Sequence, residues 1–118
     1  MPKITTDCKK ILDKLEKTKP RITKQISKKL WELHFNGVGK RVALGGKGDC
    51  KIYKLFLTTP YGHFRLVAVD NALVDIVMLD IYAKGDKSDL TTEEYKQLKP
   101  VLDECQSLEF WDNLESLV

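Results

Sequence analysis

Residues 51–84, KIYKLFLTTPYGHFRLVAVDNALVDIVMLDIYAK, decide the fold. Three runs rich in Val, Ile, Leu, Phe and Tyr, namely Lys51–Leu57, His63–Val69 and Asp75–Ala83, are separated by the turn-forming stretches Thr59–Gly62 and Asp70–Ala72. Connections this short return a strand antiparallel to its neighbour, because a parallel crossover takes a dozen or more residues. Side chains alternate across a strand, so residues two apart share a face. In the middle run Phe64, Leu66 and Ala68 lie on one side and His63, Arg65, Val67 and Val69 on the other. In the last, Val77, Leu79, Ile81 and Ala83 oppose Ile76, Met78, Asp80, Tyr82 and Lys84. The apolar sets are expected to face helices. The other sets then gather His63, Arg65, Asp80, Tyr82 and Lys84 on an open face, with Lys54 or Lys51 beside them.

Helical periodicity precedes the strands. Cys8, Ile11, Leu12 and Leu15 form an apolar stripe over residues 6–17, with Thr5 or Thr6 as N-cap. Pro20 suits the first turn of a second helix, whose stripe Ile22, Ile26, Leu30 and Leu33 runs to about Phe35. The two are expected to form a hairpin, with Pro2–Thr5 as a short edge strand ahead of them. Residues 36–49 become glycine-rich and basic, with Lys40, Arg41 and Lys47 and a short strand at Arg41–Leu44. A phosphate-binding loop ending at Gly46-Lys47 fails, since it needs glycine where Arg41 stands and a hydroxyl where Gly48 stands.

After the strands, Thr91 and Glu94 have capping-box spacing, and Tyr95, Leu98, Val101, Leu102 and Cys105 continue a helix that Pro100 kinks or divides. The acidic tail Leu108–Val118 carries Phe110, Trp111, Leu114 and Leu117, enough for a last helical turn over the core. The expected fold class is a single α+β domain over 1–118, an antiparallel sheet with an N-terminal helix hairpin on one face and a C-terminal helix, residues 108–118 forming a tail extension.

Composition narrows the class. With 118 residues, 42% hydrophobic and 31% charged, the chain reads as one soluble globular domain. It has no apolar run long enough for a membrane span and no secretory leader, so a cytoplasmic location is expected. Cys8, Cys50 and Cys105 are far apart and odd in number, which argues for reduced thiols and against a disulfide framework or zinc site. With two histidines and no ligand spacing, neither metal nor cofactor is expected. The net charge of +3 hides an asymmetry, as residues 1–58 carry 15 Lys/Arg against 5 Asp/Glu and residues 59–118 carry 5 against 12. A basic half of this kind attracts polyanions, nucleic acid among them.

The open-face residues have the chemistry that RNA cleavage by a 2′-hydroxyl needs: a proton carrier and positive charge on the phosphorane-like transition state. Arg65 offers bidentate phosphate contact, Lys84 and Lys54 point charge, Tyr82 stacking or a proton, and His63 the one imidazole of the group. Equally, Arg65 and Asp80 fit a plain cross-strand ion pair and Tyr82 a half-buried strand residue.

The runs KIYKLFL (51–57), GHFRLV (62–67) and IVMLDIYAKGDKSDLT (76–91) resemble, in order and spacing, the "y-K-l-r-l", "g-y-R-l-v-y" and "v-l-l-x-x-y-x-K-x-x-k" pattern of the RelE/ParE/HigB superfamily of bacterial toxins. The resemblance covers roughly residues 20–102. It implies a type II toxin that a cognate antitoxin suppresses. The RelE and HigB types bind the ribosomal A site and cleave mRNA, whereas ParE types poison DNA gyrase. By position, Arg65, Lys84 and Lys54 carry over as phosphate-stabilising residues. Tyr82 and His63 would assist them, and Lys51, Lys87, Lys40, Arg41 and Lys47 would bind RNA. The alternative within this resemblance is a non-catalytic binding module of the same fold.

Overall fold

The computed structural model describes residues 1–118. A two-residue strand β1 (Lys3–Ile4) leads into helices α1 (Thr6–Thr18) and α2 (Ile22–Asn36), and then into strands β2 (Arg41–Lys47), β3 (Cys50–Thr59), β4 (Gly62–Asn71) and β5 (Asp75–Ala83). Short helices α3 (Thr92–Leu98), α4 (Val101–Glu104) and α5 (Leu108–Asp112) follow, and β6 (Glu115–Ser116) ends the chain. The strands form one sheet in the order β2-β3-β4-β5-β1-β6, antiparallel except for the parallel pair β1 and β5. No helix is long and apolar enough to cross a membrane.

The helix hairpin forms where periodicity places it. Thr5 caps α1, its hydroxyl accepting from the Cys8 N–H at 3.3 Å, and Gly37 ends α2 in the left-handed conformation that glycine adopts without strain. Pro20 lies just ahead of α2 rather than in its first turn, and Arg21 occupies the N-cap with φ 71°. The edge strand expected at Pro2–Thr5 is internal, because β6 pairs outside it and the Leu117 N–H reaches the Pro2 carbonyl at 2.9 Å. The C-terminal tail thus closes one end of the sheet.

Both faces of the sheet are covered, one fully and one in part. Cys8 and Leu12 of α1 and Ile22, Ile26, Leu30 and Leu33 of α2 pack on Leu55, Phe64, Leu66, Ala68, Ile76 and Met78. On the other face Leu102, Cys105 and Trp111 cover Ile52, Val67, Val69 and Val77. This second core overturns the expectation that the Arg65 face is open along its whole length. It also corrects the alternation in β5, where Val67 pairs with Asp80 but Ala68 pairs with Met78, leaving Leu79 as a bulge. The extra residue shifts the phase. Ile76 and Met78 therefore face the helix hairpin, Val77 and Leu79 belong to the opposite side, and the expected assignment holds only from Asp80 onward.

A second correction concerns the thiols. Cys50 and Cys105, 55 residues apart in sequence, form a disulfide with Cα atoms 6.6 Å apart, and both are fully buried. Spacing gave no sign of it, since the turn at Pro100 is what carries α4 back across the start of β3. The Cys105 carbonyl accepts from Asn71 Nδ2 and Trp111 Nε1, each at 3.0 Å, so the buried polar groups beside the bond are satisfied. Cys8 stays free and buried.

Candidate nucleic-acid interface

The half of the second face that the C-terminal helices leave uncovered lies at the β3–β4 turn end. Pairing sets Phe56 opposite Arg65, Arg65 opposite Tyr82, and Thr58 opposite His63. The Phe56 ring is the centre of this group. The Arg65 guanidinium lies 4.4 Å from its centroid, Lys40 Nζ 5.3 Å and Lys54 Nζ 5.8 Å, so three cations surround one aromatic ring. Lys40 is brought in by the backbone, its carbonyl accepting from the Phe56 N–H at 3.2 Å. A concavity of about 540 Å³ opens beside the ring, lined by Lys29, Lys40, Phe56, His63, Arg65 and Lys84. His63 Nδ1 is 3.1 Å from the Thr58 hydroxyl, which fixes the imidazole, and the Lys84 N–H donates to the His63 carbonyl at 2.9 Å.

Acidic residues bound the site on the β5 side. Lys54 Nζ bonds Asp89 at 3.2 Å and Lys87 Nζ bonds Glu94 at 2.5 Å. Lys87 also sits 4.8 Å above the Tyr82 ring, which is itself 8% exposed, and the Tyr82 hydroxyl has no hydrogen-bond partner. Titration follows these contacts. The Lys87 hydrogen bond, with the Thr91 backbone N–H, holds Glu94 down from 4.5 to about 2. The Leu90 N–H and then Lys54 lower Asp89. Burial raises both Asp80 and Tyr82.

Of the residues expected to act together, Arg65, His63 and Lys84 share the concavity, Lys54 flanks Phe56 with Asp89 attached, and Tyr82 lies beneath Lys87. Lys40 joins the concavity. Lys51 is placed on the hairpin side by the alternation of β3. Lys47 pairs with Asp103, and the Arg41 guanidinium donates to the Gly37 and Gly39 carbonyls. Phe56 and Lys29 were not foreseen. The alternation that selects Lys54 also selects Phe56 two residues on, whereas Lys29 arrives by tertiary packing of α2, for which the sequence carries no local signal. No group of three or more His, Cys, Asp or Glu side chains is placed to hold a metal ion.

No family model matches the chain, and no curated protein matches it. The case for function therefore rests on the chemistry of this surface: clustered cations on an aromatic platform for anionic, planar groups, with one imidazole in reach of the same hollow.

Proposed function

We propose that this protein is a RelE-type toxin, a ribosome-dependent endoribonuclease that cleaves mRNA and is held in check by a cognate antitoxin. The observation that carries the reading is the ring of Arg65, Lys40 and Lys54 about Phe56, sharing a hollow with His63 and Lys84. In this reading Arg65 and Lys84 stabilise the charge that develops on the scissile phosphate, and His63 moves the proton. The order short strand, helix hairpin, antiparallel strands and C-terminal helices supports the RelE-like assignment. A basic first half suits an acidic antitoxin segment.

A cytoplasmic site of action goes with this function, and the buried Cys50–Cys105 bond pulls against it, because reducing compartments rarely retain such bonds. Complete burial shields both sulfurs from exchange.

Expression from a tightly controlled promoter, with mapping of mRNA 5′ ends, tests the proposal. Growth arrest with codon-phased cleavage, abolished by Arg65→Ala, supports it. Arrest with intact mRNA and DNA-damage signalling would replace it with a gyrase poison of the ParE type.

A further inference from the structure

The concavity beside Phe56 does not end at the sheet. It shares Lys29 and Thr58 with a second hollow of about 320 Å³ lined by Gln25, Lys28, Lys29, Glu32, Leu57 and Thr58. That hollow in turn shares Gln25 and Lys28 with a third, about 940 Å³, along the outward side of α2, where Arg21, Lys24 and Trp31 also line it. Taken end to end, these three adjoining hollows form a candidate groove.

Its charge is one-sided. Arg21, Lys24 and Lys29 take part in no ion pair, and Lys28 meets Glu32 only at 4.0 Å. The one other acidic side chain on the groove, Glu16, spends its carboxylate on the Arg21 N–H at 2.7 Å, the Thr23 N–H at 3.0 Å and the Thr23 hydroxyl at 2.8 Å, and Val118 with its terminal carboxylate also lines the third hollow. At the far end Trp31 is 45% exposed and packs against Phe35, 57% exposed, with ring centroids 4.6 Å apart, so two large aromatic rings face solvent among lysines. Gln25, whose Oε1 is buried without a hydrogen-bond partner, lines both the second and the third hollow.

We infer that single-stranded RNA is held along this whole groove, from the Phe56 hollow over the Lys29–Thr58 saddle to Trp31, on which a base stacks. The inference rests on the RNA reading of the sheet site and extends it to the flanking nucleotides. Spaced cations with interleaved aromatic rings are what a single strand requires, charge for the phosphates and flat faces for the bases. An acidic protein segment would satisfy the lysines but has no use for a track continuous with the Phe56 hollow.

Trp31 reports on its own occupancy, since Trp111 is 3% exposed and insulated from ligand. The full chain is titrated with a uridine trinucleotide and with an oligouridylate of about twelve nucleotides, within the span a single-strand groove covers. Both are expected to bind, and only the longer one to quench Trp31. Trp31→Ala should weaken the longer oligonucleotide about tenfold, the worth of one stacked base. The double variant Lys24→Ala, Lys28→Ala should lower its salt slope by about 1.4, at ~0.7 per phosphate. Trinucleotide affinity should be unchanged in both. If the longer oligonucleotide binds no more tightly than the trinucleotide and leaves Trp31 unquenched, the track is wrong while the sheet site stands. Quenching by polyglutamate but not by RNA overturns it in favour of an acidic protein partner. If neither oligonucleotide binds and Arg65→Ala changes nothing, the sheet site itself fails and the track falls with it.

Discussion

Arg65 and Phe56 are direct cross-strand partners whose side chains stack, guanidinium carbon to ring centroid 4.4 Å. The stack fixes the plane of the guanidinium before any anion arrives, and that plane distinguishes arginine from lysine. Arg65→Lys should therefore weaken RNA binding although charge is kept, and Phe56→Leu should weaken it about fivefold by releasing the cations it holds. If cleavage occurs, Arg65→Ala should slow it by about 10²-fold or more. Lys51→Ala and Lys47→Ala, whose side chains lie away from the ring, serve as controls with unchanged affinity in the same oligonucleotide titrations.

Asp89 competes with phosphate for Lys54. Asp89→Asn retains an acceptor for the Leu90 N–H but releases the lysine, so oligonucleotide affinity at low salt should rise about threefold, the scale of an exposed ion pair. The salt slope should steepen by about 0.7. Unchanged affinity would mean that Lys54 contributes nothing to the interface.

Two carboxyl groups give opposite pH dependences. Glu94 is held at about 2 in the folded chain against 4.5 ordinarily, so its contribution is complete above the unfolded value and disappears as pH falls through the folded one. Glu94→Gln, which keeps the capping box with Thr91, should flatten the acid limb of a urea-midpoint profile over that window. Burial raises Asp80, so its folded form binds the proton more tightly and its charge opposes folding at neutral pH. Asp80→Asn should be more stable than the parent at pH 7, with the difference closing in acid.

Thiol titration tests the covalent link. Cys8 is buried and its thiol raised to about 12, so the native protein should show no reactive thiol. Denatured without reductant it should show one, and denatured with reductant three. Reduction should lower stability by up to about 4 kcal/mol, the loop-closure value for a link of this span, read as a drop in urea midpoint. Three thiols without reductant would refute the bond.

The three strand runs, the hairpin stripe and the Thr91–Glu94 box were legible because each is a local pattern: alternation, helical spacing, a cap. What escaped was non-local. The disulfide depends on α4 returning over β3, and β6 on a two-residue pairing too short to leave a period. The bulge at Leu79 inserts one residue into a run whose hydrophobicity is continuous on both faces, so no break in polarity marks it. Arg65, His63, Lys84 and Lys54 were found because polar residues stand out on an apolar strand. Phe56 was passed over because aromatic residues there read as core, and Lys29 because nothing in α2 announces which strand it will lean across.

Leu79 works as a gear between two halves of one strand. On both sides of it alternate residues fill the hairpin core, Ile76 and Met78 upstream and Ile81 and Ala83 downstream. Loss of that single codon would remove the bulge and restore strict alternation, Met78 inward, Asp80 outward, Ile81 inward and Tyr82 outward, so that both faces kept their pattern. Removal of a residue outside the bulge, such as Ile81, would instead turn Tyr82 inward, so the strand tolerates a change of length at one place and not at its neighbours.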